Sequence, residues 1–125
     1  MATFLDHTIV PTKNREEMVE FYTKIFGFES LGEAGPFLAV RVNENFNLDF
    51  GIREEFVPIH YAFAMEPDEF EAAFGRIKAA GIPYGDGPRT KGNMQGPGMT
   101  AGAKGIGKAI YFADPSGHSL EIKTY

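Results

Sequence analysis

Polar and apolar residues alternate over residues 4–10, and apolar ones then return at three- and four-residue spacing, so the chain opens as a strand followed by a helix. The strand carries His7 at its centre and stops at Pro11. Asn14 stands where a helix cap belongs, and Glu17 stands three residues on, from where its side chain can return to the cap. Met18, Val19, Tyr22, Ile25 and Phe26 make one buried stripe, and Gly27 supplies the C-terminal cap. Three short strands are expected next, at 28–32, 37–42 and 46–52. Gly35-Pro36 and Asn43-Glu44-Asn45 between them are turn chemistries.

After Pro58 the pattern restarts. Residues 59–65 read as a strand containing His60, and Asp68 with Glu71 is expected to cap a helix whose stripe is Phe70, Ala73, Phe74 and Ile77. Gly81 closes that helix, and Ile82, Pro83 and Tyr84 read as a very short edge strand, where proline is tolerated. The chain ends in an apolar run, a turn at Asp114-Pro115-Ser116-Gly117-His118 and an alternating run, which make a hairpin. In the last run Leu120 and Ile122 share one face, while Ser119, Glu121 and Lys123 share the other.

The two halves are copies by count. From His7 to Gly27 is about 20 positions and from His60 to Gly81 about 21, so the halves agree through their helices. From Gly27 to Asp49 is about 22 and from Gly81 to Glu121 about 40, which assigns an insertion of roughly 18 to the second half, at 86–107. The result is one domain over residues 1–125, built of module one (1–55) and module two (56–125). Each module is a strand, a helix and three strands. His7 and His60 fall in equivalent first strands, and Asp49 and Glu121 in equivalent last strands. Imidazole and carboxylate together suit a divalent cation.

Composition narrows the partners. A chain of 125 residues, 43% hydrophobic and 23% charged, can bury a core. Its net charge of -5 argues against nucleic acid and anionic membrane as partners. With no cysteine, thiolate metal sites, disulfides and cysteine nucleophiles are out, and a metal must sit on His, Asp and Glu. No basic-then-apolar leader and no apolar run near roughly 18 residues is present, so a cytoplasmic location is expected.

The remaining motifs have plainer readings. Residues 86–107 are too glycine-rich to pack on themselves, and such a stretch is a lid, a binding loop or a mobile surface segment. As a lid it would offer Arg89, Asn93, Gln95, Thr100 or Lys104 to a substrate. Gly102-Ala103-Lys104-Gly105-Ile106-Gly107-Lys108-Ala109 nearly spells a phosphate-binding loop, but Ala109 replaces the Ser or Thr such loops use, and a strand follows. His118 reads as a structural hydrogen-bonding group in its turn, and Tyr61 and Tyr111 as buried phenols or donors to a substrate. Small Ala62 and Ala64 leave room beside His60 or mark where a helix packs.

The paired modules, the His60-Tyr61-Ala62-Phe63 run and the Tyr111-to-Ile122 stretch together resemble the vicinal oxygen chelate superfamily, over essentially the whole chain. That superfamily includes glyoxalase I, extradiol dioxygenases, fosfomycin-modifying enzymes and bleomycin-binding proteins. The resemblance implies an α+β fold: two βαβββ modules forming a curved mixed sheet around a cleft, with helices on the outer face. It also implies His7, His60 and Glu121 as metal ligands, a two-His-one-carboxylate set with open positions. Asp49 would be a fourth ligand or a group hydrogen-bonded to one. The implied cofactor is Fe, Mn, Ni or Zn, and the implied partners are a small-molecule substrate and a second copy of the chain in a homodimer. The expected function is a metal-dependent enzyme on a small oxygen-chelating substrate, extradiol dioxygenase-like ahead of a glyoxalase I-like lyase. Fosfomycin-modifying members resemble the His60 strand but generally carry basic residues past the last strand, so a phosphonate is the weaker expectation. The alternative is a non-catalytic small-molecule binder of the bleomycin-resistance type.

Overall fold

Strand β1 (His7–Thr12) begins at His7, so the histidine expected mid-strand is its first residue. A computed structural model describes residues 2–125. Helix α1 (Arg15–Phe26) follows, and its ends are made as its residues dictate. The Glu17 N–H donates to Asn14 Oδ1 at 2.9 Å, and Gly27 takes φ 74°, a left-handed turn that costs an L side chain energy and glycine nothing. Met18, Tyr22, Ile25 and Phe26 are its buried residues. Strands β2 (Glu29–Ala34), β3 (Phe37–Asn43) and β4 (Phe46–Ile52) complete the first sheet in the order β1-β4-β3-β2, with β1 parallel to β4 and the other pairs antiparallel.

The second half repeats this wiring. Strand β5 (His60–Ala64) also starts on its histidine. Helix α2 (Pro67–Ala79) follows, then β6 (Gly98–Gly102), β7 (Gly105–Ala113) and β8 (Ser119–Thr124). Their order is β5-β8-β7-β6, again with the first and last strands parallel. The chain divides into two compact units, Met1–Val57 and Pro58–Tyr125, each a four-stranded mixed sheet with one helix. This is the α+β arrangement of two βαβββ modules.

Three expectations are corrected. Asp68 does not cap α2: Glu66 holds the cap position without a side-chain hydrogen bond, and Pro67 enters the first turn, where its missing N–H is harmless. Residues 82–84 form no strand. Tyr84 instead sets its ring edge-on to Phe74 at 5.1 Å, and the helix end is closed by Gly81 N–H to Lys78 O and Ile82 N–H to Ile77 O. The second strand of module two is therefore β6, and the insertion lies before it, over residues 80–97. The inserted loop is tied down. Asp86 Oδ1 accepts from Thr90 Oγ1 (2.8 Å) and Asn93 Nδ2 (2.9 Å), and Gly85 bridges to Tyr111 through both backbone groups.

Each sheet buries one face. In module one Tyr22 packs tilted against Phe50, ring centroids 5.3 Å apart, with Val10, Val40 and Leu48 also in the core. In module two Phe70, Ala73, Phe74 and Ile77 of α2 are buried, as are Ile110, Phe112, Leu120 and Ile122 of β7 and β8. Full burial of such a side chain contributes about 1.5–3 kcal/mol. The opposite faces carry the polar residues.

Candidate functional site

Parallel pairing fixes where each acid stands relative to its histidine. In module one His7 pairs with Asn47 and Ile9 with Asp49; in module two His60 pairs with Ser119 and Ala62 with Glu121. In both, the acid lies two residues beyond the histidine's partner, on the neighbouring strand and the same face. The equivalence expected by counting thus holds at the level of strand register.

In module two the pair is in contact. His60 Nδ1 donates to the Ser119 carbonyl at 3.1 Å, and a carbonyl only accepts, so this bond fixes the proton on Nδ1. The other nitrogen, Nε2, then faces Glu121 Oε1 at 3.1 Å. A lone pair facing a carboxylate requires a positive charge between them, either a proton or a cation. The Glu121 side chain is 9% exposed and that of His60 48%, so the acid is sheltered while the imidazole meets solvent. Tyr111, paired with Glu121 across β7 and β8, stacks its ring at 19° to that of His60, centroids 6.3 Å apart. Burial raises the Tyr111 phenol above its ordinary value, and the Glu121 charge and hydrogen bond add to this against an opposing bond from Thr100. Lys123, buried two residues beyond Glu121, brings Nζ to 3.8 Å from Glu121 Oε2. Ala62 and Ala64, both exposed, share this face, as does buried Ala109.

In module one His7 Nδ1 donates to Asp6 Oδ2 at 2.7 Å, which leaves Nε2 as the free lone pair. The Asp6 hydrogen bond raises the His7 pKa first and foremost, opposed by slight burial and assisted by the charges of Asp49 and Asp6. Asp49 is nearly buried and its Oδ1 has no hydrogen-bond partner. An orphaned buried carboxylate oxygen is costly, and it marks a place where a proton, a water or a cation belongs. Among the described residues no three His, Asp or Glu side chains gather as a metal-binding group within either unit.

Other sites sort themselves by face. Tyr61 points to the helix side, its ring edge-on to buried His118 at 5.8 Å, and its hydroxyl has no partner. His118 accepts the Ile59 N–H on Nδ1 at 3.0 Å, a structural bond in its turn as its position suggested. Asn93 is spent inside its loop. A depression of about 380 Å³ lined by Ala64, Met65, Glu66, Pro67, Thr124 and Tyr125 holds none of the candidate ligands. Sequence reasoning missed the burial of Lys123, although its place on the Glu121 face was visible in the alternation of the last strand.

Two βαβββ units, each pairing a histidine on its first strand with an acid on its last, define the vicinal oxygen chelate class, and the comparisons agree. Residues 4–122 match the model of the Glyoxalase/Bleomycin resistance protein/Dioxygenase superfamily, and the chain belongs to that family. It is 34% identical to the solved structure of oxidase ChaP-H2, with a TM-score of 0.84, covering 100% of this chain and 95% of that one. Oxidase ChaP-H1 is likewise 34% identical, with a TM-score of 0.83 over 99% of this chain and 97% of the other. Metallothiol transferase FosB of Shouchella clausii (strain KSM-K16) is 28% identical over 134 residues, 99% of this chain and 82% of the relative. No described helix is long and apolar enough to cross a membrane.

Proposed function

We propose that this protein is a divalent-metal-dependent enzyme acting on a small oxygen-chelating molecule, with His7, His60 and Glu121 as metal ligands and Asp49 as a fourth ligand or a partner of one. The observation that carries this reading is the His60 and Glu121 pair, whose imidazole is turned by the Ser119 carbonyl so that its lone pair meets the carboxylate. The donor chemistry fits a cation. Both histidines have Nδ1 engaged by an acceptor, the outer contact by which metal-binding imidazoles are held, and the orphaned Asp49 Oδ1 is a further oxygen donor. A cation bound to such a set supplies Lewis acidity to two adjacent substrate oxygens.

The chain's own residues do the rest. Ser119 and Asp6 hold the imidazoles in one tautomer. Tyr111 stands beside Glu121 with a phenol that burial keeps protonated, and its hydrogen bond to the carboxylate holds that acid in place. Exposed Ala62 and Ala64 leave volume for the substrate.

Oxidation is the favoured reaction, because two proteins named as oxidases share 34% of this sequence over nearly its whole length. Two imidazoles with one carboxylate are also the set that leaves open positions on Fe(II) for oxygen chemistry. The likeness to a metallothiol transferase supports group transfer as the second reading. Metal analysis after reconstitution with Fe, Mn, Ni or Zn is the first test: one equivalent should bind and be lost in His60→Ala. Oxygen uptake with a catechol under Fe(II) then supports oxidation, and a thiol adduct of the substrate supports transfer. A protein that takes no metal yet holds small molecules would overturn the reading in favour of sequestration.

A further inference from the structure

Lys123 is the least expected residue on the Glu121 face. Its side chain is 6% exposed, and burying an ammonium costs heavily unless its donors are met. Two of the three N–H groups are met by one residue, since Nζ lies 2.8 Å from both the carbonyl oxygen and Oγ1 of Thr100. Among the described residues no third acceptor lies within hydrogen-bond reach. Glu121 Oε2 is 3.8 Å away, and the other oxygen of that carboxylate already faces His60. The Tyr125 ring, 5.2 Å from Nζ, adds a weak contact that accepts no full hydrogen bond.

The first module shows that the fold itself does not need this charge. Lys123 pairs with Ala64 in register, and the matching position, paired with Pro11, is Gly51. Likewise Tyr111, the cross-strand partner of Glu121, matches Ala39, the partner of Asp49. The copies keep their wiring and differ at the two positions flanking the second acid. Around that acid one has small residues and the other a phenol and a buried ammonium.

We propose that Lys123, anchored by Thr100, binds an anionic oxygen of the substrate beside Glu121, so that the site selects ligands carrying negative charge on oxygen, of the carboxylate, phenolate or enolate class. This deepens the metal-enzyme reading and rests on it for the identity of the site, while the anion contact depends only on Lys123 and Thr100. A ligand oxygen completes the third N–H and supplies the counter-charge that one carboxylate shared with His60 does not.

The test compares two chelators on the Ni(II)-loaded protein by titration calorimetry, oxalate as the anionic probe and 2,2′-bipyridine as the neutral one. Lys123→Met should bind oxalate roughly ten- to a hundredfold more weakly, the range for a lost charge-assisted hydrogen bond, with bipyridine affinity unchanged. Equal losses for both probes, or none for oxalate, overturn the proposal. If Lys123→Met does not fold, Thr100→Val decides: an intermediate, oxalate-specific loss supports the anion site and an unchanged affinity overturns it. If the wild-type chain holds none of Fe, Mn, Ni or Zn, the metal-enzyme reading falls. The anion site is then judged on the metal-free protein, where oxalate binding must still weaken in Lys123→Met or the proposal falls with it.

Discussion

Replacing Asp114 by alanine is expected to cost about 3 kcal/mol of folding stability, more than a turn residue usually carries. The reason is local and countable. Asp114 is 6% exposed, and its Oδ1 accepts the N–H groups of both Ser116 (2.9 Å) and His118 (3.0 Å). Alanine leaves both donors buried without an acceptor, at about 1–3 kcal/mol for each group, offset in part where water enters the turn. Asn keeps an oxygen at the same place but loses the charge, so Asp114→Asn should cost about 1 kcal/mol. At about 4 °C per kcal/mol for a chain of this size, alanine should lower Tm by about 12 °C and asparagine by about 4 °C. Urea unfolding followed by circular dichroism measures both, and the midpoint should move with little change in slope. The same turn sets the β7–β8 register that pairs Tyr111 with Glu121. Metal affinity, under the proposed function, should therefore fall in the alanine variant before unfolding begins. If Asp114→Ala melts with the wild type, the two bonds do not hold the hairpin and this account of how Glu121 is positioned is wrong.

Tyr61→Phe should be neutral or stabilise by up to about 1 kcal/mol, because it removes a buried hydroxyl that has no partner; a marked loss in thermal melting would mean the hydroxyl is satisfied. Gly85→Ala should destabilise by about 1–3 kcal/mol, since its Cβ would lie 1.5 Å from the Thr90 carbonyl oxygen, and hydrogen exchange should report early loss of the bridge to Tyr111. By NMR titration His7 should hold its proton to a higher pH than an ordinary histidine and revert in Asp6→Asn. Its raised pKa means the charged form gains from the Asp6 contact, so that gain is fully present in acid and fades as pH rises through the folded-state value. Under the proposed function, metal binding through His7 should run the opposite way and strengthen with rising pH, which calorimetry across pH 5–8 would reveal or refute.

Most of the fold could be read because local signals agreed with one another. Asn14, Met18, Tyr22, Ile25, Phe26 and Gly27 all point to one helix, and α1 is capped at Asn14 and Gly27 and buries those four side chains as they require. Where signals conflicted, packing decided. Ile82, Pro83 and Tyr84 look like an edge strand by composition, yet Pro83 has no N–H to give a ladder and Tyr84 gains more against Phe74. The true strand, β6, is written largely in glycine and alanine, which propensity counts against. Gly98 is there because neighbouring backbone comes too close: a Cβ on it would stand 2.2 Å from the Asp86 carbonyl oxygen. The histidine and acid pairs could be found by counting, since register follows from repeat length. Lys123 could not be read as buried, because a charged residue near the end of a strand normally meets water and its anchor, Thr100, lies on a strand that composition concealed.

The parallel pairing of first and last strands has a consequence for how the protein comes into being. Within each half the three later strands meet through short turns and can zip quickly, whereas the opening strand must wait for the ribbon to finish before it has an edge to join. His60 and Glu121, 61 residues apart along the chain, come within 3.1 Å only at that final closure. An ion that grips both would therefore arrive last and act as a latch, slowing the reopening of a finished molecule while doing little to hasten its assembly.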